Sequence, residues 1–212
     1  MERRARLAAS RLYLVLDGDA PEGLLDAALR GGVDILQLRD KDLPDGELLA
    51  AAARFRVACT QHGALFILND RPDLVAACSA DGVHVGQEDT PVAEARALVG
   101  ADAIVGLSIT TPDELDDVSG ADYLGVGAIY ATPTKEESKA GGLELVHAAA
   151  TRARVPWFAI GGIDLENVGD VVAAGAPGIA VVRAIRDADD PEAAARALRS
   201  AFDPRSPLRS KT

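Results

Sequence analysis

Eight short apolar runs recur along the whole chain: Leu12–Leu16, Val33–Leu38, Leu65–Leu68, Gly82–Val85, Ala103–Ile109, Tyr123–Ile129, Trp157–Ile160 and Gly178–Val182. Between them lie alanine- and leucine-rich segments with helical spacing: Leu24–Leu29, Leu48–Ala58, Val92–Val99, Leu143–Ala150, Val168–Ala174 and Ala193–Leu198. Runs that are apolar throughout, not alternating, are strands buried on both faces, and each parallel neighbour is reached through a crossover helix. Eight such units in 212 residues predict an α/β fold, a single (β/α)8 TIM barrel. An open doubly wound sheet is the other parallel arrangement, but no Gly-rich nucleotide turn follows the first run; Asp17-Gly18-Asp19-Ala20 is only a turn. Pro72, Pro91 and Pro112 mark helix starts, where a missing N–H costs nothing. The segments after Leu74 and Pro112 are short for helices.

One domain over residues 1–202 is expected, with a short arginine-rich N-terminal extension and a mobile tail over 203–212, where apolar residues are too few to offset the entropy of ordering. The formal charge of −11 and pI near 4.7 argue against nucleic acid and anionic membranes as partners. An anionic ligand must then find a local basic pocket. No signal peptide or membrane-spanning run is present, and Cys59 and Cys78 form neither a CxxC nor a His-paired cluster. They read as buried thiols of a soluble, cytoplasmic protein.

In such a barrel the carboxyl ends of the strands share one mouth. The second run ends with Gln37, Arg39 and Lys41 at two-residue spacing, which puts all three side chains on one strand face. They form either an anion receptor or a solvent-facing salt-bridge cluster. The third run ends with Asn69-Asp70, the fourth with Gln87-Glu88-Asp89 and the fifth with Ser108. Asn69, Asp70 and Asp89 could cap the helices that follow, with Thr90 beside Asp89. Capping needs only one acid per helix, however, and two carboxylates from adjacent strands, with remaining positions left to water and phosphate, suit Mg²⁺. The sixth run leads into Thr132-Pro133-Thr134-Lys135, the seventh into Gly161-Gly162 and the eighth to Arg183. Gly162 would let a phosphate approach the main chain closely. The loop 136–142 suits a movable lid as well as a plain surface loop. His84 reads as a core or rim residue, and His62 and His147 as solvent-facing. No Ser/His/Asp or Cys/His set assembles at the mouth, which excludes acyl-enzyme hydrolysis.

These segments together resemble the thiamine phosphate synthase family: Gln37-Leu-Arg-Asp-Lys41, Ile67-Leu-Asn-Asp-Arg71, Asp81-Gly-Val-His-Val-Gly-Gln-Glu-Asp89, Gly106-Leu-Ser108, Tyr123 through Lys135 and Ala159-Ile-Gly-Gly-Ile163. The resemblance runs from Tyr13 to about Ser200 and implies an Mg²⁺-dependent transferase of thiamine biosynthesis. That enzyme joins 4-amino-2-methyl-5-hydroxymethylpyrimidine diphosphate to a thiazole phosphate, or its carboxylate form, and releases pyrophosphate through a dissociative mechanism. By the same resemblance Gln37, Leu38, Arg39, Asp40, Lys41, Asn69, Ser108 and Lys135 would hold the pyrimidine diphosphate. Arg39, Lys41, Ser108 and Lys135 would carry the catalysis, and Asp70 and Asp89 would bind Mg²⁺. Thr132, Pro133, Thr134, Gly162, Val182 and Arg183 would hold the thiazole phosphate. The family usually has Ser where this chain has Arg183. A thiazole tautomerase on the same barrel would not need both aspartates. A noncatalytic phosphate-ligand sensor would bind without releasing pyrophosphate. Small-molecule substrates and a small homo-oligomer are the expected partners.

Overall fold

A computed structural model describes residues 2–118, 120–131, 140–206 and 208, and the strands close in sequence order into an eight-stranded parallel barrel. They are β1 (Leu12–Leu16), β2 (Ile35–Leu38), β3 (Leu65–Asn69), β4 (Gly82–Val85), β5 (Ile104–Ile109), β6 (Tyr123–Val126), β7 (Trp157–Ile160) and β8 (Ile179–Val181), with β1 also pairing β8. Each apolar run contains its strand except the third, where β3 runs one residue further, to Asn69. Around the barrel lie α1 (Arg3–Ala9), α2 (Glu22–Arg30), α3 (Asp45–His62), α4 (Val92–Val99), α5 (Gly142–Arg152), α6 (Val168–Ala173), α7 (Arg183–Arg186) and α8 (Pro191–Ser200). The two short segments are single 3-10 turns, Pro72–Leu74 and Asp113–Asp116, so those crossovers carry no full helix among the described residues. No described helix is long and apolar enough to cross a membrane.

Strand parity divides the apolar residues into two layers. Leu14, Leu36, Leu38, Phe66, Leu68, Val83, Val85, Val105, Leu124 and Ala159 point outward and pack against the helices. Tyr13, Val15, Ile35, Leu65, Ile67, Ile104, Tyr123, Phe158 and Ala180 fill the barrel. Leu7 of α1 joins that inner cluster at 2% exposure and closes the amino-terminal end. The N-terminal extension expected from its arginines is therefore a docked helix, whose one apolar anchor is Leu7.

The arginines of α1 anchor on acids that precede the even strands. Arg3 Nε donates to Asp81 (2.9 Å) and Arg4 Nε to Asp122 (2.8 Å). Asp81 also accepts from Arg56 and the Phe66 N–H, and Asp122 from Arg96 and the Val105 N–H. Burial alone would raise both carboxyl pKa values, but these donors hold them below the usual range. A depressed folded pKa adds stability that is full above the unfolded value near 4 and is lost as pH falls through the folded value. Asp81→Ala therefore costs about 2–3 kcal/mol at pH 7 in urea denaturation, and the difference from the parent shrinks as pH falls below about 4. A constant difference down to pH 2 would contradict this account.

Within the expected tail, Ser206 is buried and Leu208 packs against the core. Cys59 and Cys78 are free and buried, as expected.

Candidate active site

A cavity of about 590 Å³ opens at the carboxyl ends of the strands. Its wall on the β2 side is Gln37, Arg39 and Lys41, so two-residue spacing places all three on the inner face. The same alternation turns their neighbours away. Leu38 is fully buried in the outer layer. Asp40 faces a separate cleft, where its carboxylate accepts from the Gly18 N–H at 3.1 Å and from Asp42 and Leu43. Neither side chain lines the cavity.

Asn69 ends β3 and Asp70 follows it, and Asp89 closes the turn after β4. All three line the cavity. None caps a helix: the turn at Pro72 and α4 have Arg71 and Pro91 at their starts, with no side-chain cap. Asp89 Oδ2 instead accepts from the Gly86 N–H at 2.9 Å. Asp70 holds φ +58°, a left-handed conformation that costs energy outside glycine and is commonest for Asn and Asp. Its Oδ2 lies 3.4 Å from Lys41 Nζ. Burial raises the Asp70 pKa, and the adjacent Asp89 carboxylate raises it further. Asp89 goes the other way despite its burial, because the Gly86 N–H and the charges of Lys41 and Arg39 favour its charged form. The pair is thus a concentrated negative centre flanked by two cations. Among the described residues no group of three or more His, Cys, Asp or Glu side chains converges.

Across the mouth, Gly161 and Gly162 follow β7, and Val182, Arg183 and Arg186 lie at the end of β8 and on α7. Gly162 has φ +64°, and a Cβ there would come within 2.8 Å of Tyr130 Cβ and 3.0 Å of the Ala131 carbonyl oxygen. Only glycine fits. Arg183 is the first residue of α7 and is exposed at the rim. Thr132, Pro133, Thr134, Lys135 and the loop over 136–139 lie outside the described residues; Gly141, at the start of α5, is tied by its N–H to the Ala128 carbonyl at 2.8 Å.

The sequence missed part of the floor. His84 of β4, read as core or rim, points inward: Nε2 lies 2.9 Å from Ser108 Oγ and Nδ1 3.0 Å from the Tyr123 hydroxyl. Burial pushes its pKa down to about 4, which keeps the imidazole neutral near pH 7; Asp89 opposes this shift and Arg39 adds to it. Asp17, Asp164, Arg186 and Asp187 also line the cavity. A signal for His84 existed, since its parity matches the inward positions of β4, but its partners depend on barrel stagger.

A family model described as thiamine monophosphate synthase matches residues 12–185. A thiamine-phosphate synthase of Nostoc sp. (strain PCC 7120) is 50% identical over 195 residues, covering 90% of this chain and 55% of that protein. One from Thermobifida fusca is 49% identical over 201 residues, covering 91% of this chain and 92% of that protein. The chain thus spans about half the length of the Nostoc relative and nearly all of the Thermobifida one. Thiamine phosphate pyrophosphorylase from Pyrococcus furiosus superposes with TM-score 0.84 at 31% identity, covering 94% of this chain and 96% of that structure. 3-Hexulose-6-phosphate synthase from Salmonella typhimurium, with TM-score 0.68 and 18% identity, shares the fold alone. The chain belongs to the thiamine monophosphate synthase family.

Proposed function

We propose that this barrel is a thiamine phosphate synthase acting on small-molecule substrates: it condenses 4-amino-2-methyl-5-hydroxymethylpyrimidine diphosphate with 4-methyl-5-(2-phosphoethyl)thiazole, or its carboxylate form, and releases pyrophosphate. The observation that carries the reading is the pairing of Asp70 with Asp89 beside Arg39 and Lys41 on one side of the mouth, opposite the glycine turn at Gly162. Two adjacent carboxylates lining one cavity, with only hard oxygen donors, fit Mg²⁺ and the phosphate oxygens it prefers. Bound there, Mg²⁺ would neutralise charge on the departing pyrophosphate.

The protein's own residues do the rest. Arg39 and Lys41 face the same space as the acid pair and would stabilise charge that grows on the leaving oxygens, an attraction stronger in the transition state than in the ground state. With the aminopyrimidine ring delocalising the cation left behind, no general base is needed. Lys135, Thr132, Pro133 and Thr134 belong to this assignment through the family resemblance. Holding both rings in one mouth supplies the proximity that lets the thiazole nitrogen attack before water does. The thiazole phosphate, with about two negative charges, is assigned to Gly162, Val182 and Arg183.

Incubating the purified protein with both substrates and Mg²⁺ should yield thiamine phosphate. Isomerisation of the thiazole alone would indicate a tautomerase, and binding without product a sensor. Arg183 at the rim sharpens the thiazole assignment. Arg183→Ser should raise the KM for thiazole phosphate about tenfold, the value of one exposed charge-assisted contact, with the pyrimidine KM within about twofold. Equal effects on both constants would remove Arg183 from the thiazole pocket.

A further inference from the structure

Five polar groups cross the cavity floor in one unbroken chain. Gln37 Nε2 donates to the Tyr13 hydroxyl at 2.6 Å, and the Tyr13 and Tyr123 hydroxyls are 2.9 Å apart. Tyr123 continues to His84 Nδ1, and His84 Nε2 to Ser108 Oγ. Gln37, Tyr13 and Tyr123 are 4%, 3% and 0% exposed. The rings are packed as tightly as the bonds suggest. Phe158 meets both tyrosines edge-on, and a Cβ at Gly106 would lie 2.2 Å from Tyr123 Cζ and 2.6 Å from His84 Nδ1.

Hydrogen counting alone allows either direction, and the Gln37 amide, with Nε2 on the Tyr13 hydroxyl, selects one. Each phenol has one hydrogen to give, and a buried hydrogen without an acceptor forfeits the full desolvation cost. Tyr13 receives the Gln37 N–H, so its own hydrogen must go to Tyr123. Tyr123 then has only His84 Nδ1 to donate to. A ring nitrogen that accepts carries no proton, which places the imidazole proton on Nε2, where it is donated to Ser108 Oγ. The serine hydrogen is left for the cavity. At the other end, Gln37 keeps its carbonyl oxygen for the cavity.

We propose that Tyr13, Tyr123 and His84 are positioning residues that fix the polarity of the cavity floor, so that Gln37 accepts and Ser108 donates toward the substrate. The class of group this floor selects is a ring bearing an amino donor on the Gln37 side and an acceptor atom on the Ser108 side. The selection rests on the reading that an aminopyrimidine diphosphate binds on this floor; the hydrogen-bond polarity beneath it does not. A reversed chain would present an amide N–H at Gln37 and an acceptor at Ser108, and would disfavour that ring.

The test has one arm without substrate and one with it. In ¹⁵N-histidine NMR of the full chain near pH 7, with His84 assigned by its loss in His84→Gln, the unprotonated nitrogen should be Nδ1. In Tyr123→Phe, which keeps the ring and removes the donor to Nδ1, the Nδ1 resonance should move downfield, as for an unprotonated nitrogen that accepts no hydrogen bond. A proton on Nδ1 in the parent protein would overturn the proposal. In steady-state assays, Tyr123→Phe should raise the KM for the pyrimidine diphosphate about tenfold and leave the thiazole phosphate KM within about twofold. Unchanged pyrimidine KM, or an equal rise in both constants, would also overturn it. If Tyr123→Phe does not fold, the same comparison is made between His84→Gln, whose amide N–H replaces the donor to Ser108, and His84→Leu, which has none. The pyrimidine KM should rise less in the glutamine variant, and equal values would contradict the proposal. A parent protein inactive with both substrates would count against the proposed function, while the tautomer would still decide the polarity.

Discussion

Asp89→Ala lowers kcat/KM for the pyrimidine diphosphate by at least about a thousandfold, roughly 4 kcal/mol of transition-state stabilisation. The fold survives this change. Asp89 sits in the turn after β4, and among the described residues its side chain makes one hydrogen bond to the fold, from the Gly86 N–H, worth about 1 kcal/mol. The melting temperature should therefore fall by only about 2–4 °C. The catalytic loss is large because Asp89 is the member of the pair held in the charged form, by the Gly86 N–H and by the charges of Lys41 and Arg39. Without it, Asp70 alone faces the diphosphate, and Lys41, 3.4 Å away, is free to neutralise it. Asp89→Asn keeps an oxygen for Gly86 but loses the charge, so it should be nearly as inactive and closer to the parent in stability. Activity within tenfold of the parent in the alanine variant would take Asp89 out of the metal site.

The second large effect is at Gly162. An alanine there meets Tyr130 Cβ at 2.8 Å and the Ala131 carbonyl at 3.0 Å, and must also hold φ +64°. The turn can relieve this only by moving, at a cost of about 2–3 kcal/mol. That movement displaces the backbone assigned to the thiazole phosphate. Gly162→Ala should raise the KM for thiazole phosphate about a hundredfold and lower the melting temperature by about 6–10 °C, while the pyrimidine KM changes by less than about threefold. A thiazole KM unchanged despite the destabilisation would show that the phosphate does not sit on this turn.

Much of this site is legible in the sequence. Two-residue alternation placed Gln37, Arg39 and Lys41 on one face, and adjacency of β3 and β4 brought Asp70 toward Asp89. The same alternation turns Leu38 and Asp40 outward, although the resemblance counted them with the substrate contacts. Motif membership and side-chain direction are different things. The chain from Gln37 to Ser108 could not be read, because it depends on which residues face each other across strands. His84 aligns with Gly106, and Gly106 with Tyr123, and only that register sets the phenol beside the imidazole. Two tyrosines in apolar strands look like core until both hydroxyls are seen to meet. The helix α1 was illegible for a related reason: its partners Asp81 and Asp122 lie 78 and 118 positions away.

In the proposed reaction one mouth breaks the bond to pyrophosphate in the presence of Mg²⁺ and delivers the pyrimidine to the thiazole. This is tested most directly by ³¹P NMR of the purified protein mixed with both substrates, with Mg²⁺ and with chelator. The account predicts that the diphosphate signals convert to free pyrophosphate, one for each thiamine phosphate formed, and that chelator stops both. Thiamine phosphate formation undiminished by chelator, or no pyrophosphate release with both substrates and Mg²⁺ present, would contradict it.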